Sequence, residues 1–69
     1  MADLAERLEE LKESRNLKQK EIASAVGVPL RTYQRYEYGE REPQASVLIR
    51  MADYFNVSID YLVGRTDIP

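Results

Sequence analysis

Apolar residues recur along this chain at helical spacing, not strand spacing. Leu4, Leu8 and Leu11 fall at i, i+4 and i+7, which predicts a first helix with one buried stripe. Asp3, followed three residues later by Glu6, reads as a capping box at its start. Asn16 suits the left-handed residue that closes a helix ending near Ser14 or Arg15. Leu17 then precedes KQKEIASAV, where Ile22, Ala23 and Val26 share a face and Gly27 supplies a stop with positive φ, so the second helix is only about two turns long. A third helix is expected to begin with Pro29 at its first helical position, where a missing N–H is no loss. Its period puts Tyr33 and Tyr36 on one side and Arg31, Gln34, Arg35 and Tyr38 broadly on the other. Gly39 ends it, and in GEREP Pro43 prevents continuation and biases Glu42 towards an extended conformation.

Val47, Leu48, Met51, Ala52 and Phe55 predict a fourth amphipathic helix. Ser58 is a good N-cap for a fifth, with Asp60 near its positive end, Gly64 just past its last residues and Arg65 to Pro69 as a short tail. Lys18 and Gln44 stand at helix starts where Ser, Thr or Asp would satisfy more backbone donors, so stability is expected to rest on tertiary packing. Tyr33 and Tyr36 read as core or core-edge residues whose hydroxyls reach water or a partner. No repeat, low-complexity stretch, alternating strand pattern or dividing linker interrupts the series. The expectation is one all-α, compact five-helix domain over residues 1–69.

At 69 residues, the chain has room for one modest core and none for a multi-domain enzyme. Having no Cys and no His removes disulfides, thiol nucleophiles, imidazole chemistry and nearly every zinc site. Glu9, Glu10 and Glu13 read as a solvated helix face, not a catalytic pair. No enzymatic activity, cofactor or metal is expected. No apolar run approaches the roughly 18 residues needed to span a bilayer, and MADLAERLEE lacks the features of a secretory signal, so no membrane association and a cytoplasmic location are expected. Net charge is −2, yet the charge is uneven: residues 12–41 hold seven basic and four acidic side chains, residues 1–11 one against four, and residues 42–69 two against four. A basic middle is what a polyanion would sense.

QKEIASAVGVPLRTYQRY, residues 19–36, joins two short helices through a glycine turn. A helix-turn-helix needs a small residue where the helices cross, a glycine in the turn and apolar residues at the inner positions. Ala23, Gly27, Ile22, Val26, Val28, Tyr33 and Tyr36 supply them. Other small αα-hairpins share two or three of these features; all together they are much harder to meet by coincidence.

From about Arg7 to Gly64 the chain resembles the Cro and phage-repressor helix-turn-helix regulators, also called the xenobiotic-response-element family. The resemblance rests on RLEELKESRNLKQKEIA, VGVP, RTYQRYEYGEREP and VLIRMADYFNVSIDYLVGRTD. It implies a motif over about residues 18–38, with the helix after the glycine turn in the DNA major groove and homodimers on two-fold operators. By resemblance, Leu30, Arg31 and Arg35 occupy base-facing positions; a guanidinium pairs bidentately with guanine, and Gln34 could do so with adenine. Gln19 matches a phosphate contact, with Lys20 beside it, and Tyr38, Gly39 and Arg41 fall where the family touches the backbone. For Tyr38 an ordinary surface aromatic is an equal alternative. Lys12 and Glu37 match a pair that ties the first helix to the end of the recognition helix; an incidental surface pair is the plainer reading. Pro29, Lys18 and Tyr33 depart from the family's usual residues, and Glu40 would face a phosphate unfavourably.

Tyr61, Leu62, Val63 and Ile68 exceed what so small a core requires. They are expected at a two-fold dimer contact, the alternative being that Leu62 and Tyr61 complete the monomer's core. The resulting expectation is a DNA-binding transcriptional regulator, a prophage-type or mobile-element repressor acting as a homodimer on a palindromic operator in double-stranded DNA, with an antirepressor protein as a further partner. The alternative is a protein-interaction module on the same scaffold, antitoxin-like or an adaptor.

Overall fold

The computed structural model describes residues 3–69; Met1 and Ala2, the first two positions of the expected 1–69 domain, lie outside the described residues. The helices are α1 (Leu4–Ser14), α2 (Gln19–Val26), α3 (Leu30–Glu37), α4 (Ala45–Phe55) and α5 (Ile59–Leu62), and no strand occurs among the described residues. All five are closed by one backbone device. Asn16, Gly27, Gly39, Asn56 and Gly64 each have positive φ. The amide after each bonds back five residues, as Leu17 N to Lys12 O (2.9 Å), Val28 N to Ala23 O (3.1 Å), Glu40 N to Arg35 O (2.9 Å), Val57 N to Ala52 O (3.0 Å) and Arg65 N to Asp60 O (2.8 Å). This is the Schellman reversal, which satisfies carbonyls that the end of a helix leaves unpaired.

Helix starts are less uniform. Asp3 Oδ1 accepts from Glu6 N at 3.0 Å, and Ser58 Oγ from Tyr61 N at 3.0 Å. At Lys18 the side chain gives no cap. Glu21 supplies the opposite half of a capping box instead, its Oε1 accepting from Lys18 N at 3.1 Å. Pro29 is the N-cap of α3, not its first helical residue: ψ is 150°, and its carbonyl accepts from Tyr33 N at 3.0 Å. An extended ψ with a helical φ is what an N-cap requires, and the proline ring fixes only φ.

The core gathers one face of each helix. Leu8, Ile22, Val26, Tyr33, Met51, Phe55 and Leu62 are fully enclosed. α3 packs on α1 and α2, α2 on α4, and α5 on α4 and α1. Leu62 therefore completes the core, correcting its placement at a dimer surface.

Three arginines pin helix ends from neighbouring elements. Arg50 of α4 donates Nε to Val26 O at 2.8 Å, at the end of α2. Arg15, just past α1, donates to Phe55 O at the end of α4 and lies over the Phe55 ring. Arg7 of α1 donates Nε to Tyr61 O (3.0 Å) and reaches Thr66 O and Asp67 Oδ1 (both 3.2 Å), with its guanidinium 3.9 Å from the centre of the Tyr61 ring. The carbonyl end of a helix carries partial negative charge, so a cation there is favourable. Arg7 also docks residues 65–67, read from sequence as a simple tail, against α1.

The left-handed positions give a direct stability test. Asn56→Gly is expected to keep or raise stability, whereas Asn56→Ala should lose roughly 1–2 kcal/mol, the cost of a Cβ in that conformation without the local help of an Asn side chain. Urea unfolding of the two variants checks the order.

Candidate nucleic-acid interface

α3 divides by helical phase. Tyr33 and Tyr36 are 0% and 4% exposed and anchor the helix, while Leu30, Arg31 and Arg35 are exposed on its outer side. Tyr38 is 63% exposed just past the end, followed by Gly39 with φ 76° and by exposed Arg41. Lys20 is exposed and Gln19 half-buried at the start of α2. The exposed cations of α3 thus stand on a helix whose opposite face is fixed in the core.

A hydrogen-bonded chain fixes α3 against α1 and α2. Lys12 Nζ donates to Glu37 Oε1 at 2.6 Å, Gln19 Nε2 donates to the same oxygen at 3.1 Å, and Gln34 Nε2 donates to Gln19 Oε1 at 3.1 Å. Only 3% of the Glu37 side chain and 20% of that of Lys12 are exposed, so this is a largely buried ion pair and not an incidental surface contact. The hydrogen bond to Glu37 holds the Lys12 ammonium above the ordinary lysine pKa. Gln19 and Gln34, read separately as phosphate and base contacts, are brought together here. Gln34 is half-buried, with its amide nitrogen already engaged.

Tyr33 departs from expectation at its hydroxyl. Tyr33 Oη and Glu37 Oε2 are buried and have no hydrogen-bond partner. Burial first, then the neighbouring Glu37 carboxylate, push the phenol far above its ordinary pKa. The nearby aromatic spacing was legible in the sequence. The missing partner was not, because it depends on how closely α3 seats against the core.

The basic middle of the chain also changes on inspection. Lys12 and Arg15 are committed within the protein, which leaves Lys18, Lys20, Arg31, Arg35 and Arg41 with no side-chain hydrogen bond or ion pair among the described residues. No group of three or more acidic side chains could hold a metal ion among the described residues, and no helix is long and apolar enough to cross a membrane. Of the expected dimer residues, Tyr61 is half-buried under Arg7, Val63 is half-buried beside a cavity of about 270 Å³ that Leu4 and Leu48 also line, and Ile68 is 75% exposed. Ile49 and Ile59, which sequence reading passed over, are 50% and 41% exposed. Their placement follows from helix phase once the ends of α4 and α5 are known.

A short helix, a glycine turn and a second helix with an exposed polar edge define a helix-turn-helix protein. The model of a family described as helix-turn-helix matches residues 8–62, and the chain belongs to that family. It is 37% identical over 62 residues to the cryptic phage CTXphi transcriptional repressor RstR of Vibrio cholerae, covering 90% of this chain and 55% of that protein. The chain spans about half the length of the curated relatives it matches. A crystal structure of a transcriptional regulator from Listeria innocua is 45% identical, with a TM-score of 0.85 over 90% of this chain and 58% of that one. The P22 c2 repressor in complex with a synthetic operator shares the fold at a TM-score of 0.85 and 24% identity, over 91% of this chain and 96% of that one.

Two groups that hold their protons more tightly when folded predict alkaline sensitivity. For a group whose folded pKa is raised, stability is complete below the unfolded pKa and falls as pH rises above it. Stability should therefore decline above about pH 10, where unfolded tyrosine and lysine lose protons. Tyr33→Phe is expected to keep or raise stability at pH 7, since it removes an unpaired buried hydroxyl, and to soften the alkaline decline. Glu37→Ala should cost about 2–4 kcal/mol by leaving Lys12 unpaired. Urea unfolding at pH 7 and pH 11 measures both.

Proposed function

We propose that this chain is the DNA-reading unit of a sequence-specific transcriptional regulator. The carrying observation is the exposed edge of α3, where Leu30, Arg31 and Arg35 stand on a helix held by Tyr33 and Tyr36 and by the Lys12–Glu37–Gln19 chain. Arg31 and Arg35 read base edges in the major groove, while Gln19, Lys20, Tyr38, the amide of Gly39 and Arg41 meet the phosphate backbone. The names of its relatives, a phage repressor among them, support repression by occupancy: the bound protein excludes polymerase and performs no chemistry. The working location is the cytoplasm, and an antirepressor protein is a candidate for relieving repression.

A homodimer on a palindromic operator is part of the proposal. One short recognition edge offers only a few base contacts, each worth about 1–3 kcal/mol of discrimination, so two copies are needed for useful specificity. Exposed Ile49, Ile59 and Ile68 are better candidates for the two-fold contact than buried Leu62. Exposed apolar side chains near the end of the domain favour self-association over a partner of different chemistry.

Selection of bound DNA from a random pool at two salt concentrations tests the reading. A two-fold symmetric site should be enriched. Arg35→Ala should relax preference at one position of each half-site by about 1–3 kcal/mol, and Lys20→Ala should weaken all sequences alike while lowering the salt slope by about one. Absence of any enriched sequence would refute the proposal. For the dimer, Ile59→Asp should reduce the sedimenting mass without loss of helicity.

A further inference from the structure

The helix-turn-helix pair is held at both ends. At one end the start of α2 meets the end of α3, where Gln19 and Lys12 converge on Glu37. At the other, α2 stops at Val26 and the chain turns through Gly27, Val28 and Pro29 into α3. α2 carries no basic residue in its last turn. The cation at its carbonyl end comes from α4 instead, where Arg50 Nε donates to Val26 O at 2.8 Å. The amides of Gly27 and Val28 bond to Ser24 O and Ala23 O, which leaves the Val26 carbonyl for Arg50. A β-carbon at Gly27 would lie 3.8 Å from Arg50 Nε, so this side chain lies over the turn itself.

Arg50 is otherwise exposed, and its two terminal nitrogens make no hydrogen bond or ion pair among the described residues. The turn is therefore constrained through one donor, Nε. Arg31 and Arg35 follow that turn on the outer side of α3. Hydrogen bonds to base edges weaken steeply with distance and angle, whereas attraction to phosphates acts over about 10 Å at 0.1 M salt. Freedom at the turn thus costs site-specific binding more than general attachment to DNA.

We propose that Arg50 is a positioning residue for base recognition, acting through the Val26 carbonyl to fix where the start of α3 sits. This rests on the assignment of α3 as the DNA-reading helix. Without the bond the turn samples further arrangements, and only a fraction of molecules present Arg31 and Arg35 in the seated one. DNA selects that fraction, so the penalty is bounded by the worth of the bond.

Two isosteric substitutions separate the donor from the charge. In Arg50→Gln the side-chain Nε2 takes the place of the arginine Nε, so the bond to Val26 O is kept and the positive charge is lost. Arg50→Met has the same reach with neither donor nor charge. Each variant is measured on the sequence enriched by selection and on a scrambled duplex, at two salt concentrations. Arg50→Gln should keep the parent's ratio of the two affinities. Arg50→Met should lower it about two- to tenfold, the net worth of one hydrogen bond, with the parent's salt slope in both. Arg50→Ala, too short to reach the carbonyl, should repeat the Met result, and circular dichroism verifies that each variant is folded. Equal ratios in the Gln and Met variants would refute the positioning role. A lower unfolding midpoint for Met with an unchanged ratio, the mark of a purely structural cap, sinks it as well. A salt slope reduced by about one in both variants would make Arg50 a phosphate contact instead. Failure of the parent to enrich any sequence overturns the DNA-reading assignment itself, which is a distinct outcome.

Discussion

The carboxylate of Glu37 is the point at which three helices are tied together. It stands on the last turn of α3, and one of its oxygens accepts from Lys12 of α1 and from Gln19 of α2. At eight residues each, α2 and α3 are well below the roughly 12–15 residues at which isolated helices become even marginally stable in water. Their mutual angle must therefore be set from outside. Tyr33 and Tyr36 supply the apolar part of that constraint and Glu37 the polar part. The accompanying cost is two buried atoms without a hydrogen-bond partner, the Tyr33 hydroxyl and the other oxygen of Glu37.

Basic residues are divided between holding the fold and facing outward. Arg7, Arg15 and Arg50 each close the carbonyl end of a helix from a different part of the chain, and Lys12 closes on Glu37. Each of these four has at least one donor nitrogen committed within the fold. The outward set lies largely at the start of α2, along α3 and just beyond it. An acidic net charge and a locally cationic surface coexist for this reason: many of the acidic groups sit on α1 and in the last third of the chain.

Much of the architecture was legible in the chain. Helical periodicity located the first four elements and the Ser58 and Gly64 end signals the fifth, and the glycines announced three of the five stops because only backbone freedom explains them there. Asn56 was missed as a stop since asparagine has several common uses, and Pro29 was displaced by one position because the ring is compatible with both the cap and the first turn. The division of α3 into an anchored and an exposed side was also legible. What periodicity could not reveal was which polar side chains find one another. Gln34 and Gln19 are fifteen positions apart, and their meeting depends on how α2 and α3 cross. Leu62 was ambiguous for a related reason, because only the packing of α5 on α1 and α4 decides whether an apolar residue there faces inward.

The chain of amides running from Glu37 has a direction as well as a location. An ionised carboxylate can only accept, so Gln19 must turn its NH2 end towards Glu37 and keep its carbonyl for Gln34. Gln34 must in turn offer NH2, which leaves its own carbonyl as the uncommitted end. The two ends of an amide are nearly identical in shape and opposite in electrostatic sense. One enclosed negative charge thus dictates, two side chains away, the polarity of a neutral group on α3, so the fold encodes a sign there and not merely a position.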